Sequence, residues 1–182
     1  MSKVIRAPLE IEEVSALRAG DSVLLSGTIY TGRDAAHKRL CTLIEEGKDL
    51  PFDICNQVIY YAGPCPAKPS DAIGSCGPTT SYRMDAYAPI LCDLGLIGMI
   101  GKGPRSEQVI NAIKRNSGVY FAATGGAGAL IATCVKSAEV IAFEDLGAEA
   151  IRRLTVENLP LIVAIDAYGG NLYEQGPAQY KK

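Results

Sequence analysis

The chain has 182 residues, of which 48% are hydrophobic and 21% charged, as in an ordinary globular protein, so wholesale disorder is excluded. The 18 basic and 20 acidic residues give a net charge of −2, which argues against nucleic acid or an anionic membrane as the main partner. The length suits one domain. The start of the chain lacks the apolar segment of a signal peptide, and the uncharged stretch 119–135 is too short and too glycine-rich to cross a bilayer. A soluble cytoplasmic protein is therefore expected.

The six cysteines are spread along the chain, and no two of them form a C-x-x-C pair. Zinc ribbons and ferredoxin-type clusters need closely spaced thiolates, so we predict no metal site in this chain. Without an export signal, a chain of this length is expected to keep its thiols reduced. The simplest role of each cysteine is that of a small buried hydrophobe.

The hydrophobic pattern alternates between strands and helices along most of the chain, which predicts an α/β fold with a mixed sheet. Strands are predicted over residues 4–9, 22–30, 57–62, 96–100, 119–123, 138–143 and 161–166. Helices are predicted over residues 11–17, 35–46, 79–94, 106–115 and 128–134. Residues 148–154 fit either a helix or a strand, and the tail from Gly169 onward is expected to fray. Periodicity does not give the order of the strands.

The first candidate binding loop, 31–38, joins a predicted strand to a predicted helix. Ligands of open α/β sheets sit at the carboxyl ends of strands, and the free N–H groups of a helix N-terminus favour anions. Arg33 lies where such an anion would bind, and Gly32 allows close approach of the backbone. The alternative is structural, with Asp34 as the helix N-cap and Arg33 solvated. His37, the only histidine, is more simply a buried hydrogen-bonding group than a catalyst.

The second candidate loop, 74–85, leads two glycines, a proline and a cluster of hydroxyl residues into a predicted helix. If Thr79 lies in the first turn, Arg83 is one turn further on the same face. Hydroxyl, guanidinium and free N–H groups would then converge, as a carboxylate-bearing substrate requires. The alternative is an ordinary helix cap supplied by Thr79 or Thr80. Lys102 is a further cation at the end of a predicted strand.

A glycine-rich run, 125–128, follows the strand predicted over 119–123. It lacks the Gly-Lys-Ser/Thr ending of a phosphate loop and the spacing of a dinucleotide-binding fingerprint. We therefore expect these glycines to permit close packing of a helix rather than to bind a nucleotide.

With these residues in view, the chain resembles the β subunit of two-subunit class I fumarate hydratases and L-tartrate dehydratases, and the C-terminal domain of single-chain iron–sulfur fumarases. The resemblance is carried by residues 20–21, 25–30, 32–38, 61–64, 77–80, 83–85, 101–103 and 125–126. It covers residues 4–175 and leaves 176–182 as an expected flexible tail. It implies one catalytic domain of the swivelling β/β/α type, active only with an α subunit.

The resemblance also implies roles for individual residues. Positions that bind the substrate carboxylates match Arg33, Arg83 and Lys102. Thr79 matches a hydroxyl proposed as the catalytic base, and support is expected from Asp34, His37 and Thr80. The implied cofactor is a 4Fe–4S cluster, held by the α subunit and not by this chain.

The implied activity is that of a hydro-lyase of the tricarboxylic acid cycle, fumarate hydratase, which reversibly adds water to fumarate to give (S)-malate. Tartrate dehydratase, which gives oxaloacetate, would use the same machinery, and no residue of the sequence distinguishes the two substrates. A third interpretation is a non-catalytic module whose cations only bind an anion. The expected partners are the α subunit and a small dicarboxylate, and a homodimer of the isolated chain is compatible with the sequence.

Overall fold

The computed structural model describes residues 2–178, in which seven strands form one mixed sheet. The strands are β1 (Lys3–Ala7), β2 (Ser22–Thr31), β3 (Val58–Tyr60), β4 (Gly98–Gly101), β5 (Val119–Ala122), β6 (Val135–Ala142) and β7 (Ile151–Ile165). The helices are α1 (Ile11–Ser15), α2 (Asp34–Glu45), α3 (Ala88–Asp93), α4 (Glu107–Arg115), α5 (Gly128–Cys134) and α6 (Leu172–Ala178). Two 3-10 segments, Ser81–Met84 and Glu144–Glu149, complete the elements. The predicted α/β class with a mixed sheet is confirmed.

Five of the strands close into a barrel. β2, β3, β4 and β5 are parallel neighbours, and β7 runs antiparallel to both β5 and β2, which joins the two ends of the row. β1 extends the sheet by pairing with residues 23–27 of β2, and β6 extends it by pairing with residues 151–156 of β7. The closure therefore depends on two long strands that each change partners along their length.

Gly27 permits the crowding where β1, β2 and β7 meet. Its φ is +110°, and a Cβ atom there would lie 2.1 Å from the Ala7 carbonyl oxygen. The register of β2 against β7 shifts between Leu25 and Gly27. Only glycine adopts this left-handed backbone readily and has no Cβ to collide with Ala7. This position therefore fixes how β1 lies on the barrel.

Two hydrophobic clusters occupy the two faces of the sheet. Along β3, Val58 and Tyr60 belong to one cluster, and Ile59 belongs to the other. The second cluster also contains Leu40 of α2 and Val109 of α4, so it lies between the sheet and its helices. The first cluster contains the inward-facing residues of the barrel strands, as the period-two alternation of strands requires, and it extends to Val14 of α1 and Ile131 of α5.

Three segments differ from the sequence expectations. The predicted helix 79–94 is wrong: the chain is extended before the 3-10 turn Ser81–Met84, and α3 begins only at Ala88. The ambiguous segment 148–154 contains the start of β7. Helix α6 spans Leu172–Ala178, so the fraying expected from Gly169 onward is wrong for these residues, and residues 176–178, expected as the start of a flexible tail, are helical. Residues 179–182 lie outside the described part of the chain.

Candidate active site

The carboxyl ends of the parallel strands form one edge of the barrel, and two predicted site residues lie there. Arg33 comes two residues after β2, and Lys102 directly follows β4. Tyr61, directly after β3, donates its N–H to the Ile100 carbonyl of β4 at 2.8 Å, so the ladder continues past the strand end. Parallel pairing thus brings the loops after β2, β3 and β4 to the same edge of the sheet.

Residues 78–80 cross this edge in an extended conformation. Thr79 donates its N–H to the Tyr61 carbonyl at 2.6 Å. Thr80 forms a parallel bridge with Lys102, and a Cβ on Gly103 would lie 3.5 Å from the Thr80 methyl group. The structure therefore brings Thr79, Thr80 and Lys102 together beside the ends of β3 and β4.

The prediction that Thr79 opens a helix with Arg83 one turn along the same face is wrong. Arg83 belongs to the 3-10 turn Ser81–Met84. Thr80 precedes this turn with φ −63° and ψ 121°, and its side chain caps nothing. Ser81 donates its N–H to the Lys102 carbonyl at 2.9 Å. These two backbone bonds tie the segment to neighbouring loops in an extended conformation, and local periodicity does not reveal such long-range partners.

Arg83 is positioned by an ion pair and not by a shared helix: its guanidinium donates a hydrogen bond to Asp34 at the start of α2. Arg33 Nη2 lies 3.2 Å from Glu149 Oε1, and Arg33 Nε lies 3.9 Å from Asp34 Oδ1. Two arginines and two carboxylates therefore alternate at this corner. Within residues 2–178, no carboxylate lies within salt-bridge distance of Lys102.

The alternative of an Asp34 N-cap with a solvated Arg33 is also wrong. Asp34 is the first helical residue of α2, and Arg33 occupies the position before it. The Arg33 side chain is only 22% exposed. Arg33 and Asp34 are therefore paired groups at a partly closed edge.

His37 is a fully buried residue one helical turn after Arg33. Its Nδ1 lies 2.9 Å from the Arg33 carbonyl oxygen, which can only accept, so Nδ1 carries the proton. Burial lowers the pKa of His37 to about 4, which keeps the ring neutral at pH 7. Its ring packs edge-on against Tyr61 at a centroid distance of 5.2 Å. The expectation of a buried hydrogen-bonding histidine is confirmed.

Sequence reasoning missed a buried ion pair that anchors the edge. Arg105 donates through Nε to Asp85 Oδ1 at 2.7 Å, and Ser106 N–H donates to Asp85 Oδ2 at 2.6 Å. The guanidinium of Arg105 also lies over the rings of Tyr61 and Tyr120, at 5.2 and 4.9 Å. This pair joins the turn that carries Arg83 to the loop after β4. Nothing in the local sequence separates Arg105 from a solvated arginine, since its burial depends on distant strands.

The glycine-rich run 125–128 packs closely against another loop, as expected from sequence. A Cβ on Gly128 would lie 2.6 Å from Ser75 Oγ and 2.9 Å from the Gly77 nitrogen. A Cβ on Gly125 would lie 3.8 Å from Cδ of Lys102. The run thereby borders the edge that carries Lys102.

The cysteines do not gather around a common point. Within residues 2–178, no group of three or more His, Cys, Asp or Glu side chains is arranged to hold a metal ion. Burial raises the pKa of the Cys76 thiol to about 12 and that of Cys92 to about 11, so both stay protonated at pH 7. The groups described here do not fit an iron–sulfur cluster.

Comparison with known families decides the relationship. The profile of the family described as "Fumarase C-terminus" matches residues 3–176. The chain belongs to this family. The predicted resemblance is thereby confirmed, and the chain is homologous to class I fumarate hydratases and to a tartrate dehydratase β subunit, which are hydro-lyases.

Three relatives show how the chain compares in length. The "Fumarate hydratase class I, anaerobic" of Escherichia coli (strain K12) is 38% identical over 167 residues, which are 91% of this chain and 30% of the relative. The "Fumarate hydratase 1, mitochondrial" of Leishmania major is 38% identical over 172 residues, 92% of this chain and 31% of the relative. The "Putative L(+)-tartrate dehydratase subunit beta" of Methanocaldococcus jannaschii is 38% identical over 170 residues, 90% of this chain and 87% of the relative. The chain thus spans about a third of the fumarate hydratases it matches and most of a β subunit.

None of the helices within residues 2–178 has both the length and the apolar character needed to cross a membrane.

Proposed function

We propose that this chain is the β subunit of a cytoplasmic 4Fe–4S hydro-lyase, a fumarate hydratase that interconverts fumarate and (S)-malate. The observation that carries the proposal is that Arg33 and Lys102 follow the carboxyl ends of the parallel strands β2 and β4 while Arg83 pairs with Asp34 beside Arg33, in a chain of this family. A dicarboxylate needs two cationic subsites, and this edge offers three cations. The match to 87% of a named β subunit supports an α subunit as the partner.

In this proposal the two arginines bind carboxylates while already held in place. Arg83 is paired with Asp34, and Arg33 with Glu149, so each side chain is ordered before the substrate arrives. An ordered guanidinium loses less side-chain entropy on binding and keeps further N–H donors for the ligand. Lys102 adds a positive charge outside any salt bridge of the described residues. Its interaction with the substrate carboxylate would strengthen as negative charge builds up there when a proton leaves the adjacent carbon.

Thr79 is proposed as the proton-transfer group. A hydroxyl is a weak base and acts only where cations and hydrogen bonds stabilise its deprotonated form. The extended segment 78–80 keeps Thr79 at the strand edge, with its neighbour Thr80 paired to Lys102. This backbone bridge puts Thr79 one residue from the position paired with Lys102, which supports the role, and Thr80 is proposed to hold the segment in place.

The iron–sulfur cluster is assigned to the α subunit. The residues of this chain do not fit the cluster, because residues 2–178 contain no suitable ligand group and the buried thiols stay protonated. What this chain contributes is binding, orientation and proton transfer. We further propose that it moves as a swivelling domain to close over the partner's cluster.

A tartrate dehydratase β subunit is the second candidate, favoured by the relative of similar length from Methanocaldococcus jannaschii. The two substrates differ by one hydroxyl group. A site that hydrogen-bonds this hydroxyl discriminates strongly between them, so a direct comparison of the two substrates decides the assignment.

The test is anaerobic co-expression with an α-type subunit from the same genome, followed by assays with malate and tartrate. Arg83→Ala removes a charge-assisted contact and is expected to lower kcat/KM by about ten- to a hundredfold. The control is Arg115→Ala, which breaks an exposed pair with Asp93 that includes none of the proposed site residues and is expected to change nothing. Equal kinetics of the two variants would refute the proposed role of Arg83. A stoichiometric cluster in the isolated chain would refute the assignment of the cofactor to the partner.

A further inference from the structure

Arg33 occupies a position that usually belongs to a hydrogen-bond acceptor. It immediately precedes α2 with φ −119° and ψ −164°, and its side chain makes no capping hydrogen bond. The first N–H groups of a helix need acceptors, whereas a guanidinium has only donors. Another group must therefore satisfy the start of α2.

Glu149 supplies that acceptor from a distant part of the chain. Its Oε2 accepts a hydrogen bond from Ala35 N–H at 3.1 Å. Its Oε1 lies 3.2 Å from Arg33 Nη2. One carboxylate thus caps α2 and holds the guanidinium, so the conformations of Arg33 and of the helix start are coupled.

The segment that presents Glu149 is fixed at several points. Glu149 ends the 3-10 segment Glu144–Glu149, and Asp145 of this segment forms a two-pronged ion pair with Arg39 of α2. Arg152 Nη2 donates to the Gly147 carbonyl at 2.9 Å. The carboxylate is therefore mounted on a braced turn and not on a free loop.

Gly63 leaves the space that this arrangement needs. A Cβ atom there would lie 3.1 Å from Arg33 Nη1 and 3.3 Å from the Ala148 carbonyl oxygen. The loop after β3 therefore lies against both Arg33 and the turn that presents Glu149. Three separate parts of the chain thus confine one guanidinium.

We propose that Glu149 is a positioning residue, which holds Arg33 in the orientation that binds a substrate carboxylate. The inference rests on the proposed function, because it takes Arg33 as a ligand of the substrate. Glu149 contacts one end of the guanidinium, and Arg33 Nε, which is buried, has no hydrogen-bond partner within residues 2–178. The group is therefore anchored while part of its donor set stays unused.

If Glu149 orients Arg33, removing its charge should change anion binding in the direction opposite to that expected from electrostatic repulsion alone. A negative charge beside Arg33 weakens anion binding through Coulomb repulsion, so removing it would strengthen binding if orientation did not matter. If Glu149 orients Arg33, its removal weakens binding, because the guanidinium must then be ordered by the substrate. The direction of the change therefore separates the two effects.

The test is Glu149→Gln, which removes the charge and keeps an oxygen that can accept from Ala35 N–H. L-Malate is the probe, titrated into the full chain while the NMR signal of Arg33 Nε–H is followed, and kcat and KM are measured in the anaerobic complex with the α subunit. We expect about tenfold weaker malate binding and a shifted, broadened Arg33 signal. The matched control is Glu139→Gln, which removes an exposed partner of Arg153 and is expected to leave both readouts unchanged.

The Arg33→Ala background distinguishes a positioning role of Glu149 from a purely structural one. If Glu149 acts through Arg33, adding Glu149→Gln to Arg33→Ala causes no further loss of malate affinity, even where the melting temperature falls. Equal or tighter malate binding by Glu149→Gln, with Arg33→Ala still impaired, overturns the inference and leaves the proposed function intact. If Arg33→Ala itself changes neither binding nor turnover, the proposed function fails and this inference with it. Should Glu149→Gln fail to fold, Glu149→Asp keeps the charge but shortens the reach, and wild-type affinity in that variant overturns the inference.

Discussion

Replacing Arg105 with alanine tests how the candidate site is held together. The Arg105 side chain is fully buried and that of Asp85 is 13% exposed, so the ion pair between them is shielded from water. Arg105→Ala leaves the Asp85 carboxylate without its cation in this setting. It also removes the contacts of the guanidinium with Tyr61 and Tyr120.

The expected cost follows from that burial. Removing one partner of a buried pair costs about 3–5 kcal/mol, because the remaining charge is left without compensation. For a domain of this size each kcal/mol lowers Tm by about 2–4 °C, so Tm should fall by about 6–20 °C. Exposed pairs contribute only about 0–1 kcal/mol. The pair of Arg115 with Asp93, with both side chains 48% exposed, is such a case and provides the control.

The assay is thermal and urea unfolding of the wild type, Arg105→Ala and Arg115→Ala at pH 7. A double variant, Arg105→Met with Asp85→Asn, removes both charges and keeps an acceptor for Ser106 N–H, so it should recover a large part of the loss. If Arg105→Ala destabilises the chain no more than Arg115→Ala, the reasoning from burial is refuted. If the double variant is as unstable as Arg105→Ala, an uncompensated charge is not the cause.

Three further predictions test single positions. Gly101→Ala should lower the free energy of unfolding by about 1–3 kcal/mol in thermal unfolding, because the new Cβ would lie 2.0 Å from Ser81 Oγ. Gly176→Ala is the control that should not lose stability, because a Cβ there has nothing within 4 Å. Burial lowers the pKa of His37 from 6.5 to about 4, so the unfolded state binds more protons between these values. The free energy of unfolding should therefore fall by about 3 kcal/mol as the pH drops from about 6.5 to 4, and His37→Gln should lack this part of the pH dependence in urea titrations. Thr79→Val should lower kcat in the two-subunit complex with little change in Tm, and an unchanged kcat would remove Thr79 from proton transfer.

Local patterns in the sequence determined the class of the fold and the neighbourhood of the candidate site. The apolar runs of β2 and β5 and the helix over 128–134 follow from period and propensity within a few residues. Arg33 and Lys102 could be placed at strand ends because a strand and the loop after it are adjacent in the chain. The parallel pairing of these strands then brings both cations to one edge.

Tertiary contacts decided the remainder, since they join residues far apart in sequence. Closure of the barrel depends on β7 pairing with β2, more than 120 residues earlier in the chain, and period-two alternation carries no information about which strand is the partner. Hydrogen bonds to the neighbouring loops hold residues 78–80 extended, although the local sequence pattern predicts a helix that includes residues 79 and 80. Glu149 and Arg105 look like any charged surface residues until the fold surrounds them, because burial and charge pairing are properties of the assembled chain and not of a local segment.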